Sequence, residues 1–250
     1  MATVAVTTTA RSSFAIGAFD RVFYSGMAIA MAITVFIGFA PTYYLRVVFG
    51  APPTVTGAAT LSPLAQLHGV LFTGWVLLFV VQTALIASHR TRVHQRLGIA
   101  GGVLAAAMVI VGVSTAIAAA SRGAAPPGVD PLAFLSIPLF DMLLFATFVG
   151  AALWHRRQRE THKRLMLLAY ISIIAAAVAR FPGLLPYGPL MFFGLAFIFL
   201  VIAVIYDVVS RRRLHPTYIW GGALLVASVP VRLAMSGTET WRALAAFLTQ

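Results

Sequence analysis

The 250-residue chain contains no cysteine and only six acidic side chains. Without cysteine there are no disulfides, no thiolate metal sites and no thiol nucleophile. Charge of either sign is scarce: 10% of residues are charged, while 60% are hydrophobic and the mean hydropathy is +0.94. No soluble domain of this size needs so much apolar surface, so lipid should solvate most of the chain. The net charge of +12 suggests nucleic acid in a soluble protein. Here the basic residues stand in short runs between apolar segments. That is membrane topology, so no nucleic-acid partner is expected and the lipid bilayer is.

What is present is a set of long apolar runs. Seven segments qualify as spans: Val22–Phe39, Leu64–Ala87, Leu97–Ala120, Leu132–Trp154, Arg164–Phe181, Pro189–Val209 and Tyr218–Met235. Turn chemistry separates them at Ala51-Pro52-Pro53, at Ala125-Pro126-Pro127-Gly128 and between Pro182 and Pro189. The expected architecture is an all-α integral membrane bundle of about seven transmembrane helices, with spans two to five at its centre. Residues 1–21 read as a mobile tail rather than a cleaved signal. Residues 22–235 form the multi-pass membrane domain, and residues 236–250 a short amphipathic helix on the outer surface.

The Lys and Arg residues set the orientation. Thirteen of the eighteen fall in the first twenty-odd residues and in the loops after spans two, four and six. This places the amino terminus in the cytoplasm and the carboxyl terminus outside, in a bacterial inner membrane.

The second span holds the strongest functional clue. His68, Trp75, Gln82 and His89 stand seven residues apart, and seven steps of about 100° return to within roughly 20° of one direction. They form one polar seam along a membrane helix, and such a seam should face other helices or a cavity. A faint repeat accompanies it: His89-Arg90 with His94-Gln95-Arg96-Leu97 is echoed by His155-Arg156 with His162-Lys163-Arg164-Leu165. Spans two–three and four–five therefore read as two copies of one hairpin.

Two candidate sites follow. His89, His94, His155 and His162 end spans on the basic side, where a bundle would gather them as ligands for a divalent metal or for haem iron. The alternative for histidines at a membrane boundary is interfacial anchoring. On the opposite side, Asp141 is the only acid well inside a span, with Arg180 as its expected partner. His68, Trp75, Gln82, Asp141, Arg180, Tyr43 and Tyr44 make up a candidate ligand pocket. The same residues also fit a structural ion pair beside a core histidine.

The runs LHGVLFTGWVLLFVVQ, VHQRLG and THKRLMLLA resemble an uncharacterised class of bacterial multi-pass membrane proteins. The histidines His68, His89, His94, His155 and His162 loosely resemble those of b-type membrane cytochromes. That resemblance implies haem b and a redox role. The rival expectations are a small transporter or ligand-binding protein whose ligand is unknown, and a non-catalytic subunit in a homo-oligomer or beside a membrane partner.

Overall fold

The computed structural model describes residues 2–54 and 56–250, with side chains for 17–54 and 56–250. Most of the tail expected over residues 1–21 therefore lies outside the described side chains. The described residues form helices joined by turns and loops, without strands, and seven helices or helix pairs are long and apolar enough to cross a membrane. The protein is a multi-pass membrane bundle.

The helices are α1 (Ala2–Phe39), α2 (Pro63–Ala87), α3 (Thr91–Ala120), α4 (Pro131–Phe134), α5 (Ser136–Trp154), α6 (Arg159–Val178), α7 (Gly188–Ala196), α8 (Ile198–Arg211), α9 (Pro216–Ser236) and α10 (Glu239–Leu248). Short α4 leads into α5 to make one span, and α7 with α8 makes another. A π-helical turn, Ala40–Tyr44, extends α1. Several helix starts follow one local rule, an acceptor side chain followed by proline. Ser62 accepts the Ala65 N–H ahead of Pro63, Asp130 accepts the Leu132 N–H ahead of Pro131, and His215 accepts the Thr217 N–H ahead of Pro216.

Packing adds one helix to the expected centre. α1, α2, α3, α5 and α6 pack in that order, and α1 closes the ring onto α6. Span one thus joins spans two to five. α6 is the most enclosed helix, α9 lies in the groove of α5 and α6, and the α7–α8 span packs on α6. Close approach depends on small residues. A Cβ on Gly38 would strike the Ala177 backbone carbonyl, so glycine is what lets α1 reach α6. α10 packs over α4, where the Trp241 indole donates to the Leu132 carbonyl at 2.8 Å. Its Leu244 and Phe247 are exposed.

The turns carrying the basic runs share one end of the bundle, which is tied by ion pairs. Asp20 of α1 accepts from Lys163 at 2.6 Å and from Arg211 at 2.6 Å, and from the Tyr206 hydroxyl at 2.8 Å. Arg164, wholly buried, pairs with Glu160 and with Asp207, itself 1% exposed. Asp207 is a buried link from α8 to α6. Its second oxygen accepts the His215 N–H at 2.8 Å, fixing the start of α9.

Candidate functional site

At the opposite end, the five-helix ring encloses a cavity of about 850 Å³. It is only partly enclosed, and residues 56–62 and 122–131 contribute to its rim. Its wall is mostly aliphatic and aromatic, with a few polar groups converging from different elements. His68 enters from α2, Tyr43 and Tyr44 from the π-turn, Asp141 from α5, Tyr170 from α6 and Arg180 from just beyond α6. Five of the seven expected pocket residues thus line it.

Each polar group is placed by local geometry. Tyr43 rests on α2 because position 69 is glycine; a Cβ there would meet the tyrosine ring. Tyr44 packs edge-on to Tyr43 and shares a hydrogen bond with Thr73 at 3.0 Å. His68 stacks on Phe72 with ring centroids 3.9 Å apart. Tyr170 receives the edge of Phe79, at 5.0 Å between centroids.

The ion pair differs from the expected one. Asp141 is bound by Arg232 of α9, at 2.5 Å, rather than by Arg180. Arg232 is 1% exposed and also reaches the carbonyl and hydroxyl of Ser228 and the Ile137 carbonyl. The reason lies in helix position. Arg180 falls in the turn after α6, where it donates to the Ala176 carbonyl and lies over the Phe39 ring at 4.3 Å. Arg232 instead lies on α9 where that helix packs against α5. No carboxylate pairs with Arg180 among the described residues. Burial draws its guanidinium down to about 10, so it stays cationic at neutral pH.

Trp75 and Gln82 do not line the cavity. Trp75 is buried in the ring beneath it, with Phe145 edge-on at 5.0 Å. Gln82 lies further along α2, its amide nitrogen 3.7 Å from where a Cβ on Gly98 would stand.

The histidines expected as metal or haem ligands separate. His94 and His162 come together, with ring centroids 6.3 Å apart and planes nearly perpendicular. His162 Nδ1 is bonded to the Ala152 carbonyl at 2.8 Å. His89 serves a different purpose. With φ of +60° it is the left-handed residue that ends α2, and the next N–H, of Arg90, returns to the Leu85 carbonyl at 2.8 Å. His155 follows the last residue of α5 with an ordinary φ of −88°. Among the described residues no group of three or more His, Asp and Glu side chains is set to hold a metal ion. The expected four-histidine centre is therefore not assembled.

Sequence reasoning missed Tyr170, which also lines the cavity. The hydroxyl of Tyr170 and Nδ1 of His68 are buried without a protein partner. Trp75 Nε1, Gln82 Oε1 and His94 Nδ1 share that condition. Each such atom costs about 1–3 kcal/mol if left unmet. Five together approach the roughly 5–15 kcal/mol that holds a typical domain folded, so water or ligand must satisfy them.

Fold and cavity together define a multi-pass membrane protein with a half-open pocket inside a five-helix ring. Compared with known proteins, the chain matches no family model, no curated protein and no solved structure.

Proposed function

We propose that the protein binds a small, largely apolar molecule bearing an anionic or strongly accepting head group, held in the ring cavity. The observation that carries this reading is Arg180. It is a cation without a carboxylate partner among the described residues, placed in a mostly apolar cavity near the unpartnered Nδ1 of His68. The volume of about 850 Å³ falls within the ~300–1,000 Å³ typical of sites for small molecules. Asp141 is already neutralised by Arg232, so Arg180 gives the cavity a net positive charge. A carboxylate would be met by Arg180 and by a hydrogen bond from His68, while its chain lies against the wall.

The charge asymmetry supports an orientation in a bacterial inner membrane with the basic end in the cytoplasm, and on that reading the cavity opens to the outside.

The test uses purified protein in mild detergent, titrated with straight-chain carboxylates and their methyl esters. Carboxylates are expected to bind more tightly than esters. Arg180→Gln is expected to weaken the carboxylates about 10- to 100-fold, the equivalent of a charged hydrogen bond of roughly 1.5–3 kcal/mol. Equal binding of acid and ester, or indifference to Arg180→Gln, would remove the reading.

A further inference from the structure

The seam on α2 is not absorbed by the cavity. His68 lines the cavity, but Trp75 and Gln82 continue below it toward the basic end, where His94 and His162 face each other. All three seam residues within α2 carry a buried polar atom that no protein group meets: His68 Nδ1, Trp75 Nε1 and Gln82 Oε1. Tyr170 Oη, at the cavity wall, and His94 Nδ1, beyond Gln82, extend the series onto α6 and α3. Five of the eight such atoms among the described residues thus belong to this one series. Buried polar groups in a membrane domain are satisfied, and where protein supplies no partner, water does.

We propose that these residues line an internal water file that carries protons between the cavity and the His94/His162 pair. The spacing fits such a file. Seven residues of helix advance about 10.5 Å, and three bridging waters with hydrogen bonds of roughly 2.8 Å span that distance. The residues divide the work by chemistry. Tyr170 accepts a proton from one water and passes its own to the next, so the hydroxyl is unchanged after each transfer. The Trp75 indole is a donor only, so it orients a water without relaying. The Gln82 carbonyl oxygen holds a water by accepting from it. His94 takes a proton at Nδ1 and releases one from its other ring nitrogen toward His162 and the basic face, and no net charge accumulates. The file uses the cavity as its mouth and needs no ligand in it, so it stands or falls separately from the binding reading.

Two measurements test it. In the first, wild-type protein is reconstituted into vesicles loaded with a pH-sensitive dye, and a potassium diffusion potential is imposed with valinomycin. Lumenal pH is expected to change at least tenfold faster than in protein-free vesicles. Gln82→Leu and His94→Phe are expected to lower that rate tenfold or more, with Gln82→Asn restoring much of it. Leu77→Ala, on the lipid-exposed side of α2, should leave the rate unchanged. The second measurement needs no folded variant of the seam. The wild-type Trp75 indole N–H is followed by NMR after transfer to D2O, its resonance identified by its loss in Trp75→Phe. Trp75 is 3% exposed, so a dry interior would protect that proton for hours to days, whereas a water file exchanges it within minutes. A wild-type flux equal to that of empty vesicles, or an indole proton that persists overnight, overturns the proposal.

Discussion

Replacing Asp141 with Ala removes the only carboxylate that faces Arg232, and the structure sets the size of the loss. Both partners are nearly excluded from solvent, with side chains 9% and 1% exposed. After the change, the guanidinium keeps neutral partners alone: the Ser228 carbonyl and hydroxyl, the Ile137 carbonyl, and the Phe140 and Phe193 rings. An uncompensated charge in such a position costs about 3–5 kcal/mol. Arg232→Met should cost less, roughly 2–3 kcal/mol, because a stranded Asp141 can take up a proton and become neutral. The double variant Asp141→Leu/Arg232→Met has no stranded charge and should lie within about 1 kcal/mol of the wild type. The two single losses therefore should not add, and the coupling should approach the sum of the singles. The assay is reversible unfolding in mixed micelles, titrated with dodecyl sulfate and followed by circular dichroism. Arg180→Met is the internal control, since Arg180 has no acid to strand, and should shift stability by less than about 1 kcal/mol. Additive single losses, or an Arg180→Met loss as large as that of Asp141→Ala, would refute the pairing.

The same unfolding assay checks three further expectations. Gly38→Ala places a methyl against the Ala177 carbonyl, so α1 must move off α6 at a cost of about 1–3 kcal/mol. Asp207→Asn weakens the buried link to Arg164 and should cost about 3–5 kcal/mol, with α9 loosening first in hydrogen exchange. His215 holds the start of α9 through an unprotonated Nδ1. Burial and the charge of Arg164 both pull its pKa below the usual value of 6.5. The unfolded chain thus binds that proton more readily. Its contribution is fully present above pH 6.5 and is lost as pH falls below that value toward the folded pKa. His215→Asn keeps a capping acceptor and should flatten this part of the stability–pH profile.

Much of this protein was written in composition and periodicity. Apolar runs of membrane length fix a helix count, because backbone polar groups in lipid must be satisfied within the segment. All seven expected spans are present, with ends shifted by several residues where an acceptor–proline pair or a left-handed turn sets the boundary. The seven-residue seam was likewise legible, since it depends only on helical pitch. The set His68, Tyr43, Tyr44, Asp141 and Arg180 was legible because all five lie toward the ends of their spans that face away from the basic runs.

Tertiary packing decided the rest. Which arginine meets Asp141 depends on α9 docking against α5, a contact between residues 91 positions apart that no local pattern encodes. Tyr170 carries no periodic signal, yet α6 turns it into the ring. The four basic-end histidines looked equivalent by depth, but depth is a single coordinate. Rotation about each helix axis brings His94 to His162, while the end of α2 takes His89 for its left-handed turn. A sequence specifies how far along the membrane normal a side chain lies; only the packed bundle specifies the direction in which it points.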